Sequence, residues 1–245
     1  MIKLCEMQWK KTKRNFIRIL MLVLPIIYSL VMYLYFNISS LDNNNKKTIF
    51  FLLLFISVQF FLAIYTNQFI QIDRDANNFI HELSSKVPRR KIFLSKVILL
   101  IMISISVYIL SVSVFLLLNL IHKVVLIHTY ELCLYFLLSI IFQTPTLLLN
   151  IFVSYKYSLY GIVIIATINF LTTILIGTTQ LGALIWYFVP SSWGSKYIVD
   201  FIPSNIYTLE NLFVILLLIA VDIILIFTQI LWFSQWEGES KYSEN

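Results

Sequence analysis

Apolar residues run almost without interruption through six stretches of the chain: Phe16–Phe36, Thr48–Thr66, Val97–Leu120, Leu132–Val153, Tyr157–Thr178 and Asn211–Phe233. Each is about 20 residues long, the length a helix rising 1.5 Å per residue needs to cross a hydrocarbon core of about 30 Å. The runs are continuous rather than alternating, which argues against transmembrane strands. The pattern predicts six transmembrane helices in one domain covering 1–245. Pro25 and Pro145 fall inside the first and fourth runs and predict kinks there. The polar Asp42–Lys47 stretch reads as a turn between spans one and two.

Between spans two and three the pattern changes. From Gln71 to Lys96 the chain reads QIDRDANNFIHELSSKVPRRKIFLSK. Apolar residues recur at Ile72, Ala76, Phe79, Ile80, Leu83 and Val87, the spacing of one helical face. This predicts an amphipathic helix over Ile72–Val87, capped at its start by Asp73 or Asp75 and ended by Pro88. Arg89, Arg90 and Lys91 then fall where anionic headgroups would lie. Two readings fit the helix: it lies in the interface, or it presents its polar face to a soluble partner, with His81 and Glu82 at the rim. A second irregular segment, 179–210, precedes span six. Its run LGALIWYFV ends at Pro190 and is too short to cross the bilayer. It predicts a re-entrant or interfacial helix followed by a turn at Pro190–Gly194, serving as an aromatic anchor or as a contact for a membrane-embedded peptide.

Composition agrees with the spans. Only 12% of the 245 residues are charged and 60% are hydrophobic, against about 25% charged in soluble domains. A soluble monomer could not cover its surface with so little charge. Soluble enzymes, disordered chains and disulfide scaffolds are excluded on this ground. The basic amino-terminal tail and first apolar run resemble a secretion signal in outline. The run is too long for one, and no small-residue cleavage site follows, so a retained first span is expected. Cys5 and Cys133 form no CxxC motif.

The net charge of +6 is read here as loop asymmetry rather than nucleic-acid affinity. Lys3, Lys10, Lys11, Lys13, Arg14 and Arg18 lie at or before span one, and Arg74, Lys86, Arg89, Arg90, Lys91 and Lys96 lie between spans two and three. Lys156 and Lys241 join that side, whereas Lys46, Lys47, Lys123 and Lys196 fall on the other. The excess predicts that both termini are cytoplasmic; the Ile-, Asn-, Lys- and Phe-rich composition is that of an AT-rich genome and fits a bacterial cell membrane.

Candidate chemistry is sparse. No G-x-x-x-x-G-K-[ST] sequence occurs, so the chain has no P-loop to cradle ATP phosphates. No nucleophile elbow and no HExxH occurs. His122 and His128, with Glu131 nearby, are spaced more like solvated loop residues than like helical metal ligands. No metal or cofactor is expected on the chain. Inside the spans, Asp222 and Gln229 lie seven apart in span six, and Gln143 and Asn150 lie seven apart in span four. They fit either a hydrogen-bonded seam between helices or a path for an amphiphilic cargo.

The amphipathic loop after span two, then Pro88 and its basic residues, then Ser95-Lys96 opening span three, resembles the permeases of ABC type-2 exporters. So do the six spans, the opening MIKLCEMQWKKTKRNF and the long segment before span six. Within that family the layout is most similar to lantibiotic-immunity permeases, with bacitracin-resistance permeases near. The resemblance implies that the loop is a coupling helix docking on a separate ATP-binding subunit, which carries the ATP and magnesium. Its contacts would be Ile72, Asp73, Ala76, Phe79, Ile80, Glu82, Leu83 and Pro88. It further implies that the chain is itself no enzyme, that it pairs with a second, homologous permease, and that the cargo is a lantibiotic taken from the bilayer. Other cargoes, such as bacitracin, a drug, a lipid or an ion, and a non-transport membrane role, stay open at this point.

Overall fold

A computed structural model describes the chain except residues 77–78, 86, 123, 127, 158, 184, 203–208 and 239–245. It is all-α, with no strand among the described residues. A short helix α1 (Ile2–Lys11) leads through a 3₁₀ turn into α2 (Ile17–Ile38). Then come α3 (Asn43–Asp75), α4 (Ile80–Leu83), α5 (Arg89–His122), α6 (Thr129–Lys156) and α7 (Leu159–Thr178). After an irregular stretch, α8 (Pro190–Lys196) and α9 (Leu209–Gln235) complete the order. Six helices, α2, α3, α5, α6, α7 and α9, are long and apolar enough to cross a membrane. Alternate connections return the chain to the same end, so the starts of α2 and α5 lie with the ends of α3, α6 and α9.

Helix α3 is the central one, packed against α2, α5, α6, α7 and α8. Its aromatic residues account for this: Phe51 stacks on Tyr135 of α6 at 4.7 Å, and Phe50 meets Phe115 of α5 at 4.3 Å. Large rings bury much apolar area with few rotatable bonds and prefer such offset contacts. Helices α7 and α9 are the least covered. Leu171, Ile168, Ile223 and Phe227 stand exposed on them, as side chains facing hydrocarbon do. Both α2 and α6 continue through Pro25 and Pro145. One turn after Pro25 the Ser29 hydroxyl lies 2.8 Å from the Pro25 carbonyl and 2.6 Å from the Ser111 carbonyl of α5, tying the two helices together.

The segment before α9 differs from its sequence reading. The apolar run 181–189 is not one helix; it forms two 3₁₀ turns, Gln180–Gly182 and Trp186–Phe188. Pro190 does not make a turn. It starts α8, because a proline at the first helical position loses no bond and has its φ already set. Helix α8 packs on α3, α6 and α7. Trp193 is buried, and its indole N–H donates to the carbonyls of Trp186 at 3.0 Å and Tyr187 at 3.2 Å. The approach is close: a Cβ on Gly194 would strike the Phe55 ring, and one on Gly177 would strike Ser195. Residues 203–208 of the expected outer segment lie outside the described residues.

Candidate functional site

The expected single helix over Ile72–Val87 is absent. Helix α3 runs on to Asp75, so Asp73 sits in its last turn and caps nothing at a start. The chain then turns at Ala76, and Phe79 takes a left-handed conformation, φ 63°. That geometry is a rare outlier for a bulky side chain and costs on the order of 1–3 kcal/mol. The ring holds it: Phe79 is fully buried against Tyr155 at 5.5 Å and Trp236 at 4.9 Å. Four residues of helix come next, and Pro88 stands immediately before α5 rather than ending a helix. Apolar periodicity continues across the break because Phe79 serves the core of the bundle, not a surface stripe.

Beneath this loop lies a charge cluster that sequence reasoning did not find. Lys96, about two turns inside α5, has no solvent exposure. Its Nζ lies 2.8 Å from Asp73 Oδ2 and 2.7 Å from Glu82 Oε1, and donates to the Tyr155 hydroxyl at 2.7 Å. From α1, Lys11 Nζ reaches Asp73 Oδ1 at 2.6 Å and lies 3.9 Å from Glu82 Oε1. Two lysines thus face two buried carboxylates. Burial pushes the Glu82 carboxyl above its ordinary range, with the Lys96 charge pulling the other way and the neighbouring Asp73 adding to the rise. The only sequence signal was a lone lysine in the apolar run IFLSKVILL, whose burial demands a partner.

Two arginines extend the ties. Arg74 donates to the carbonyls of Ser154 at 3.0 Å and Tyr155 at 3.3 Å, the last turn of α6. Arg89 donates to the carbonyls of Ser234 at 3.3 Å and Trp236 at 2.7 Å, where α9 ends. Helix ends leave carbonyls unpaired and carry partial negative charge, so guanidinium groups suit them. Arg89 was expected at lipid headgroups; it caps α9 instead, while Arg90 and Lys91 are exposed. The loop therefore fastens α1, α3, α5, α6 and α9 at one end of the bundle.

The expected coupling residues divide accordingly. Asp73, Phe79 and Glu82 are buried and act inward, Ile72 and Leu83 are half-buried, and Ala76, Ile80 and Pro88 are exposed. An outward-facing patch is left by Asp75, Ala76, Ile80, Ser84, Arg90 and Lys91.

The intramembrane polar residues also divide. Thr144 of α6 donates to Asp222, and Gln229 Nε2 donates to the Leu148 carbonyl at 2.9 Å, so both α9 residues bind α6. Gln143 instead accepts from the Tyr108 hydroxyl of α5 at 3.1 Å. Asn150 is buried in α6, and its carbonyl accepts from Ser154 at 2.7 Å. At the far end Glu131 pairs with Lys47 at 2.5 Å, joining α6 to α3. Among the described residues no group of three His, Cys, Asp or Glu side chains could hold a metal. No protein-family model, no curated protein and no solved structure matches the chain.

Proposed function

We propose that this chain is the permease subunit of an ATP-driven exporter of the ABC type-2 kind, working with a separate ATP-binding subunit and a second permease. The observation that carries the reading is the loop between α3 and α5. It shows an exposed patch outward and is fastened inward to five helices by ion pairs and arginine caps. A push on such a patch reaches the bundle through these ties. The sequence carries no P-loop, and in this reading ATP and magnesium belong to the partner. The cargo proposed from the sequence resemblance is a membrane-active cationic peptide, expelled from the bilayer to give immunity. In this mechanism closure of the ATP-binding subunits displaces the Ile80 patch, and the ties at Asp73, Glu82 and Lys96 carry the displacement into α3 and α5.

The test is affinity purification of the chain from its own host's membranes in mild detergent, with identification of the proteins that co-purify. A Walker-motif ATPase is expected. Ile80→Asp should release that subunit while leaving the permease at normal level, since Ile80 is 55% exposed and its loss opens no cavity. Recovery without any ATPase, from cells where the chain is functional, would overturn the assignment. Peptide-sensitivity profiles of a deletion strain test the cargo separately.

A further inference from the structure

Helix α1 packs against α5. Its Cys5 thiol donates to the Ser95 carbonyl of α5 at 3.6 Å and Lys11 reaches Asp73 of α3, which hold α1 to the start of α5 and the end of α3. The adjoining face, Ile2, Glu6 and Trp9, is open. Between it, Met21 of α2, and Ile98 and Met102 of α5 lies an open cavity of about 570 Å³. A second cavity of about 310 Å³ shares Met21 and Ser106 with the first and continues to Ser113. The two form one groove along α5 from Ile98 to Ser113, about 22 Å at 1.5 Å per residue. That is somewhat more than one leaflet of a hydrocarbon core of about 30 Å.

We propose that this groove seats one acyl chain of an anionic phospholipid, with its headgroup against the basic flank of α1. The inference needs only that α2 and α5 lie in a bilayer; it is independent of the transport reading. Three observations select this occupant. The groove runs in the direction of the spans, and its side chains are almost all apolar. Its hydroxyls need nothing from a ligand: Ser106 donates to the Met102 carbonyl at 2.8 Å and Ser113 to the Leu110 carbonyl at 3.0 Å. The mouth is basic. Lys3 and Lys10, seven residues apart, share the face of α1 beside the groove, and both are exposed. The one acid there, Glu6, is neutralised by Lys10 at 2.7 Å. Trp9 lines the mouth with the Arg18 guanidinium 4.3 Å from its ring centroid, an amphipathic pair suited to the headgroup level. Basic residues near a membrane surface each favour anionic lipid by about fivefold in binding.

The full chain should be purified in mild detergent, exchanged against vesicles of equal phosphatidylglycerol and phosphatidylcholine, re-extracted, and weighed by native mass spectrometry. One phosphatidylglycerol per chain is expected to survive extraction. Ser106→Trp, at an exposed position, should fill the groove and lower retention at least tenfold. Leu117→Trp, exposed on the same helix outside the groove, should retain the lipid as the wild type does and so controls for folding. Lys3→Gln with Lys10→Gln should keep a lipid in place but lower the preference for phosphatidylglycerol by about fivefold per lysine. Loss of the lipid from both tryptophan variants, equal retention in Ser106→Trp and wild type, or no preference between the two lipids would each overturn the proposal. So would a dimer that dissociates in Ser106→Trp with no lipid lost, which would give the groove to a second copy of the chain.

Discussion

Replacing Lys96 by Met keeps the length of the side chain and removes one charge from a fully buried site. Three contacts disappear with the Nζ: Asp73 at 2.8 Å, Glu82 at 2.7 Å and the Tyr155 hydroxyl at 2.7 Å. Removing one partner of a buried ion pair usually costs about 3–5 kcal/mol, mostly through the charge left behind. Here Asp73 keeps Lys11 at 2.6 Å, while Glu82 keeps Lys11 only at 3.9 Å. Glu82, already raised by burial, can shed its charge by taking a proton. The expected cost therefore lies near the lower end, about 3 kcal/mol. Neutralising Glu82 in advance should make the loss smaller. The double variant Lys96→Met, Glu82→Gln should then be more stable than the sum of the single effects implies, by about 1–2 kcal/mol. The assay is reversible unfolding in mixed detergent micelles, followed by tryptophan fluorescence. Trp236 is a suitable reporter because it packs on Phe79 and Tyr155 at this end of the bundle. A Lys96→Met cost under about 1 kcal/mol, or strict additivity in the double variant, would refute the view that the cluster is a mutually dependent unit.

Glu82 also sets a pH dependence. Its folded carboxyl lies above the ordinary value of 4.5, so the folded state binds the proton more tightly and this group's contribution falls as pH rises from 4.5 through the raised value. Stability curves of wild type and Glu82→Gln should diverge in the variant's favour over that rise; parallel curves would exclude the effect. Arg89→Ala should fray the end of α9 and cost about 1.5–3 kcal/mol for the charge-assisted bonds to Ser234 and Trp236, seen as faster amide exchange confined to the last turn of that helix. Gly194→Ala should destabilise by about 1–3 kcal/mol, because the new methyl meets the Phe55 ring, and Phe55→Leu should recover part of the loss in a thermal melt. For orientation, cysteines at Asn44 and Gln180 should react with an impermeant thiol reagent on intact cells and one at Ser84 should not; all three positions are exposed, and labelling of Ser84→Cys from outside would reverse the expected direction.

The spans were legible in the sequence because crossing a bilayer demands length and apolarity, and both are local properties. Observed helices overrun the expected ones where polar residues extend a span beyond the hydrocarbon, as α3 does from Asn43 to Asp75. The loop was misread because its decisive event is a left-handed Phe79, which propensity opposes and burial enforces. The charge cluster joins positions 62 and 59 residues apart, and no periodicity in one segment reports such a pairing. Counting basic residues treated Arg74, Arg89 and Lys96 as surface charge. In the structure their side chains are committed to helix ends and buried acids. Asp222 and Gln229 shared a face as expected, and α6 is what they meet; Gln143 turns to Tyr108 because α5 borders the other side of α6.

The arginine caps also impose an order on biosynthesis. A chain is made from its amino end, and its early segments settle first. Lys11, Asp73, Glu82 and Lys96 can meet once the third span has been inserted. The carbonyls that Arg74 serves come about 80 residues after it, and those that Arg89 serves come 145 and 147 residues after it. Until α9 arrives, Arg89 has water or lipid phosphate as its companion, and the Phe79 ring lacks Trp236 as its cover. The loop between α3 and α5 is thus translated early and completed last. A nascent bundle missing its final helix displays an uncovered aromatic ring and an idle guanidinium at one end, and the finished protein displays neither.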